Sequence, residues 1–148
     1  YGTYVVTPEV SAHQAKVVVT TSIVNQSAVD QDFQLSTSLV DDNGYEVGSS
    51  KRILRLPRDA STKENQEMVI ENPQLWSLES PELYRAITTI ISDGEVLDVY
   101  ETSFGIRFFD FDSQKGFSLN GVPTKIKGVC LHHDLGALGA AFNKRAME

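Results

Sequence analysis

Hydrophobic residues occupy every second position through most of the first hundred residues of the chain. This period of two places one face of a strand in a core and leaves the other in solvent, so it predicts β-strands. Residues 17–23, 33–39 and 84–90 show the period most clearly. Shorter or weaker strands are predicted at residues 4–6, 45–47, 53–56, 68–70 and 96–104.

Turn signals separate these strands at intervals of about 8–12 residues, which is typical of a β-sandwich. Residues 41–44 predict a strong turn, and Asp93-Gly94 supplies the positive φ that a tight hairpin needs. The polar residues 58–66 predict a loop or an edge, and no segment with a helical period precedes Leu135. About seven strands within roughly 100 residues fit an immunoglobulin-like antiparallel sandwich, so we predict this all-β domain over residues 1–106.

The pattern changes from residue 107 onward. Charged and aromatic residues alternate over 107–111, a turn follows at 112–116, and Asn120-Gly121 is the strongest hairpin signal in the chain. Residues 123–129 predict a strand with Ile126 and Val129 buried. Residues 144–148 predict a nascent helix, and an isolated helix shorter than about 12 residues is marginal in water. The chain is therefore expected to end within an element.

Composition and charge exclude several classes of protein. The chain has 148 residues, enough for one domain and a remnant, and 41% of them are hydrophobic, which is too many for a disordered chain. A net charge of −7 argues against nucleic acid and anionic membranes as partners. No apolar run approaches the ~20 residues that span a bilayer. The single cysteine, Cys130, excludes an internal disulfide and leaves the cellular compartment open.

Three blocks of sequence resemble glycoside hydrolase family 2, the β-galactosidase-like enzymes. The first, residues 72–84, reads NPQLWSLESPELY, and the second, residues 103–107, reads SFGIR. The third, residues 117–134, reads FSLNGVPTKIKGVCLHHD. In the family the first block leads into the penultimate strand of an immunoglobulin-like middle domain, the second leaves that domain, and the third leads into a catalytic (β/α)8 barrel.

The resemblance implies a fold and an activity. Residues 107–148 are expected to be a linker hairpin and the first strand of a truncated barrel, with the sandwich as a spacer that braces it. The parent enzyme is expected to hydrolyse terminal β-glycosidic bonds with retention, using two glutamates about 5–5.5 Å apart. By the resemblance both glutamates lie beyond Glu148. This chain alone is therefore predicted to contain no catalytic residue and to be inactive.

Physical chemistry gives several of these positions a structural role. Trp76 is predicted to plug one end of the sandwich. Tyr84 is predicted to form a tyrosine corner, its hydroxyl bonding to the upstream backbone. Gly105 is expected to break the strand where the chain leaves the sheet. Glu79 and Glu82, close to these positions, are expected to be hydrogen-bonded surface groups.

By the resemblance, His132 and Asp134 are the candidate substrate-binding residues, in the parent enzyme only. His132 matches a histidine at the C-terminal end of a barrel strand, where barrel enzymes place their sites. Asp134 could instead orient a neighbour or cap the following turn. Together with His133, these residues could suggest a metal site. Adjacent residues of a strand face opposite sides, so no metal is expected, and no cofactor is expected either. Cys130, where many members of the family have asparagine, is expected to be a buried, inert strand residue.

Other interpretations remain open at this point. The acids at 41–42, 110 and 112 are expected to be turn and surface residues, although a catalytic dyad or a calcium site is conceivable. The sandwich could also be a stand-alone carbohydrate-binding or purely structural interaction module, because a fold alone does not decide function. A glycoside bound by the full-length parent is the expected partner, with a homo-oligomer possible. The sugar is undecided among galactosidase, glucuronidase and mannosidase members.

Overall fold

The computed structural model describes residues 2–130, 136–141 and 144–147. Two antiparallel sheets form its main body, one with strand order β1-β2-β5 and the other β4-β3-β6-β7. A small third sheet has the order β10-β9-β8. The strands are β1 (Thr3–Val10), β2 (Gln14–Val24), β3 (Gln31–Val40), β4 (Glu46–Leu56), β5 (Ser61–Glu71), β6 (Tyr84–Ser92), β7 (Glu95–Phe104), β8 (Phe109–Asp112), β9 (Gly116–Leu119) and β10 (Val122–Pro123).

The two larger sheets pack face to face, which confirms the predicted all-β sandwich. Their inward residues form two hydrophobic clusters. One cluster joins β2 and β5 to β3 and β6, and Ile106 closes it at one end of the sandwich. The other lies toward the opposite end around Phe33 and Leu35. Between them lie four buried polar residues, which are Thr21, Thr37, Gln66 and Thr88.

Two strands extend beyond what the hydrophobic pattern predicted. Residues 46–56 form one continuous strand, β4, where the pattern gave two short ones. Residues 61–66 belong to β5, which is an edge strand of its sheet. Of the loop or edge predicted for residues 58–66, the edge is therefore confirmed for residues 61–66. The pattern missed both because β4 is largely exposed and because the inward side chains in the first half of β5 are polar, ending in the fully buried Gln66.

The two strongest predicted hairpins are confirmed by their backbone angles. Asp93 and Gly94 have φ values of 51° and 82°, and they join β6 to β7. Asn120 and Gly121 have φ values of 51° and 78°, and they join β9 to β10. Two successive positive φ values make the tight turn whose twist matches that of the flanking strands.

The strand predicted over residues 123–129 is wrong. β10 ends at Pro123, and residues 124–130 form neither strand nor helix. Ile126 is 69% exposed and Val129 is 94% exposed. A strand needs a hydrogen-bonding neighbour, and no described element pairs with residues 124–130 as a ladder. The residues described further on form a 3-10 turn, Gly136–Leu138, and the predicted nascent helix as α1 (Lys144–Met147). No helix within the described ranges is long and apolar enough to cross a membrane.

Candidate functional site

The segment between β5 and β6, residues 72–83, covers one end of the sandwich and forms the first part of the candidate site. Asn72 has a φ of 47°, and its backbone N–H donates to the His13 carbonyl at 2.7 Å, which turns the chain across the sheet end. The Tyr84 hydroxyl accepts a hydrogen bond from the Gln74 backbone N–H at 2.8 Å. This contact confirms the predicted tyrosine corner. Burial raises the pKa of Tyr84, partly offset by this hydrogen bond, so the hydroxyl stays neutral at physiological pH.

Trp76 holds the chain where it leaves the sandwich. Its backbone N–H donates to the Ile106 carbonyl at 2.8 Å, and a Cβ placed on Gly105 would lie 3.1 Å from the Trp76 Cβ. The glycine therefore permits a close approach that alanine would obstruct. The Arg107 guanidinium carbon lies 5.3 Å from the centre of the indole ring, within the range of a cation–π contact. Arg107 therefore packs over one face of the indole.

Asn120 ties the small sheet to this corner. Its side-chain Nδ2 donates to the Trp76 carbonyl at 3.0 Å, and its Oδ1 accepts from the Phe108 backbone N–H at 3.1 Å. Its own backbone N–H donates to the Phe108 carbonyl at 2.8 Å. The sequence identified Asn120 only as a turn residue. Its second role depends on residues 44 positions apart meeting in space, for which no local pattern exists.

A groove of about 1050 Å³ lies between the corner and the small sheet. Its apolar lining includes Trp76, Phe117 and Leu119, and its charged lining includes Glu79 and Arg107. Residues 122–127 form the other wall. The groove mixes apolar surface with both signs of charge, as the contact surfaces between domains commonly do.

The small sheet has one apolar face that is open to solvent within the described chain. The rings of Phe109, Phe111 and Phe117 cluster on it with centroid separations of 5.0–6.4 Å. Phe109 is 59% exposed and Phe111 is 68% exposed. Val122, opposite Leu119 in the ladder, continues the same face and is 63% exposed. Contiguous exposed apolar surface of this kind marks an interaction surface.

Asp41 and Asp112, two of the acids named from the sequence, accept local backbone hydrogen bonds. Asp41 Oδ1 accepts from the Tyr45 N–H at 2.8 Å. Asp112 Oδ1 accepts from the N–H groups of Lys115 and Gln114, and these two bonds lower the pKa of Asp112. Such contacts support their interpretation as turn residues. Among the described residues, no three His, Cys, Asp or Glu side chains come together as metal ligands would.

The candidate substrate-binding residues cannot be placed against this groove. His132 and Asp134, and His133 between them, lie outside the described residues. Cys130 is described, and it is exposed rather than buried in a strand. That prediction is wrong for the same reason as the predicted burial of Val129, because no described strand pairs with this stretch.

Comparison with known proteins decides the family. The family model described as "Glycosyl hydrolases family 2" matches residues 3–107, which is more than half of the chain. The chain belongs to glycosyl hydrolase family 2. This confirms the resemblance seen in the three sequence blocks.

Relatives and solved structures in the family match nearly the whole chain. The β-galactosidase BoGH2A of Bacteroides ovatus is 41% identical over 148 residues, which are 100% of this chain and 17% of that protein. A β-glucuronidase of Formosa agariphila is 35% identical over 127 residues, 86% of this chain and 13% of that protein. The crystal structure of Bacteroides uniformis β-glucuronidase superposes with a TM-score of 0.87 at 28% identity, covering 97% of this chain and 18% of that one. The chain thus spans less than a fifth of the length of these relatives.

Proposed function

We propose that this chain is the sandwich domain of a larger retaining glycoside hydrolase that cleaves terminal β-glycosidic bonds. The observation that carries the proposal is the family match over residues 3–107, together with 41% identity to a protein named β-galactosidase. In the proposed mechanism one glutamate attacks the anomeric carbon and a second serves as acid and then base. Both glutamates lie outside the 148 residues, so the chain alone is inactive.

The proposal divides the chain into two parts. Residues 1–106 are the immunoglobulin-like sandwich, and residues 107–148 are a linker hairpin followed by a segment that becomes the first strand of a catalytic (β/α)8 barrel once a neighbouring barrel strand pairs with it. The hydrogen bonds of Trp76 to Ile106 and of Asn120 to Trp76 support this division. They fix the direction in which the chain leaves the sandwich, which a spacer domain must do.

In this arrangement the sandwich braces the barrel. The uncovered apolar face around Phe109 and Phe111, and the groove beside it, supply the surface against which the barrel packs. Covering exposed aromatic side chains gains roughly 25 cal/mol per Å² of apolar surface removed from water, which favours the packing of the barrel on this face. His132 and Asp134 then contact substrate hydroxyls in the complete enzyme, whose partner is a glycoside.

The assay that tests the activity compares two proteins. The 148-residue chain and the product of the whole reading frame that contains it are incubated with 4-nitrophenyl β-D-galactoside and β-D-glucuronide. We expect hydrolysis of at least one substrate by the longer protein only, with NMR showing that the first-formed sugar keeps the β configuration. Turnover by the 148-residue chain, or an inverted product, would contradict the proposal.

Calorimetry separates this function from that of a stand-alone carbohydrate-binding module. Because we assign the exposed aromatic face to a neighbouring domain, we expect no saturable heat when the 148-residue chain is titrated with lactose or with glucuronide-containing oligosaccharides. Saturable binding that Phe109→Ala abolishes would assign the aromatic face to sugar instead of to a neighbouring domain.

A further inference from the structure

A chain of hydrogen bonds crosses the interior of the sandwich between its two hydrophobic clusters. The Thr37 hydroxyl donates to Gln66 Oε1 at 2.7 Å, and Gln66 Nε2 donates to the Ser50 carbonyl at 3.0 Å. Thr88 Oγ1 lies 3.1 Å from Thr37 Oγ1. A hydroxyl can donate only one hydrogen bond. Thr37 donates its bond to Gln66 Oε1, so Thr88 must be the donor to Thr37. The oxygen of Thr88 therefore keeps its acceptor capacity.

Thr21 is a further buried threonine between the two hydrophobic clusters, outside this chain of hydrogen bonds. It is 4% exposed, and its Oγ1 has no hydrogen-bond partner among the described residues. A buried hydroxyl without a partner costs about 1–3 kcal/mol, which native proteins normally avoid. The buried hydroxyl of Thr21 therefore requires a partner that the protein itself does not supply.

A small pocket of about 40 Å³ supplies the space for that partner. Thr21 and Thr88 both line it, and so does the exposed Asp98, whose carboxylate oxygens accept hydrogen bonds. A bound water needs roughly 10–15 Å³ of such space and two to four polar neighbours. The pocket meets both requirements.

The start of the chain forms one side of the pocket, where Gly2 and Thr3 line it. Gly2 has a φ of 63°, and its carbonyl accepts from the Ser22 N–H at 2.8 Å, which holds it beside the pocket. A Cβ on Gly2 would lie 3.0 Å from the Tyr100 ring, so backbone and ring are in close contact. Thr3, which lines the pocket, shares a hydrogen bond with Thr102 between their hydroxyls, and this bond links β1 to β7.

We propose that this pocket is an internal hydration site that completes the buried polar chain. An ordered water accepts a hydrogen bond from the Thr21 hydroxyl and donates two, one to Thr88 Oγ1 and one to the Asp98 carboxylate. Every polar group then has a partner, from Thr21 through Thr88, Thr37 and Gln66 to the Ser50 carbonyl. The water also joins the two sheets, since Thr21 lies on β2, and Thr88 and Asp98 lie on β6 and β7.

Three variants of the 148-residue chain test the site. Thr21→Val removes the hydroxyl at nearly constant shape, Thr21→Ser keeps it, and Thr89→Val makes the same change on the outer face of β6 as a control for strand preference. In the parent chain and in Thr21→Ser we expect NMR cross-peaks between long-lived water and the amides around Thr21. In Thr21→Val these cross-peaks disappear, and the folding equilibrium constant measured in urea falls about fivefold relative to Thr89→Val.

Two results would overturn the proposal. One is the absence of long-lived water near Thr21 in the unsubstituted 148-residue chain, together with a Thr21→Val variant that is more stable than that chain. The Thr21 hydroxyl would then have no hydrogen-bond partner. The other is a urea midpoint that rises with Na⁺ or K⁺ and not with choline at equal ionic strength, which would assign the pocket to a cation.

Discussion

Replacing Tyr84 with phenylalanine removes one oxygen atom and leaves the aromatic ring in place. The ring still packs in the core and stacks against Phe104 at 5.8 Å, so the change isolates the hydrogen bond to the Gln74 N–H. The amide that loses its acceptor is part-buried, and water can partly replace the tyrosine. We therefore expect a loss of about 1–2 kcal/mol. For a protein of this size that loss lowers Tm by about 3–6 °C.

Urea and thermal unfolding of the 148-residue chain measure this loss. Trp76 is the only tryptophan of the chain and lies in the corner, so its fluorescence reports the site of the change, while circular dichroism reports the strands. Tyr45→Phe is the matched control, because Tyr45 is 72% exposed and its removal of a hydroxyl should not change stability. If Tyr84→Phe and Tyr45→Phe unfold at the same urea concentration, the corner hydrogen bond does not stabilise the domain as argued.

The same pair of variants gives a pH dependence whose sign follows from the raised pKa of Tyr84. A raised pKa in the folded state means that the native protein holds its proton more tightly than the unfolded chain does. The stability that the protonated Tyr84 hydroxyl contributes is therefore complete below pH 10 and is lost as the pH rises through the pKa of the folded state. We expect stability to fall more steeply above pH 10 in the parent chain than in Tyr84→Phe. Parallel curves would show that the burial of this hydroxyl does not carry the effect.

Two further changes test the junction between the sandwich and the small sheet. Gly105→Ala places a methyl group about 3.1 Å from Trp76 and should cost about 1–3 kcal/mol in urea unfolding, whereas Gly128→Ala, with no atom within 4 Å of the new Cβ, should cost nothing. Equal stability of the two variants would refute the close approach. Asn120→Asp keeps the acceptor for the Phe108 N–H but sets a carboxylate against the Trp76 carbonyl, so hydrogen exchange of residues 108–119 should speed up while the sandwich amides are unchanged. Unchanged exchange in the small sheet would mean that Asn120 does not hold it.

The sequence predicts the strands and the tight hairpins because each depends on residues that are close together in the chain. Strands with one apolar face show in the period of two, and the hairpins show in Asp93-Gly94 and Asn120-Gly121, because few residues tolerate two successive positive φ values. The tyrosine corner and the family were equally visible in the blocks around Trp76 and Tyr84. These features depend on residues close together in the chain.

The contacts that join distant segments were decided only by the tertiary structure. Gln66 is buried because Thr37 and the Ser50 carbonyl happen to face it, and the sequence around Gln66 reads as a polar surface. Asn120 holds the corner through a residue 44 positions away. Val129 shows the opposite case, since a hydrophobic side chain is buried only where another element covers it. The hydrophobic period predicts which face of a strand is suited to burial. Only the folded structure shows whether another element packs against that face.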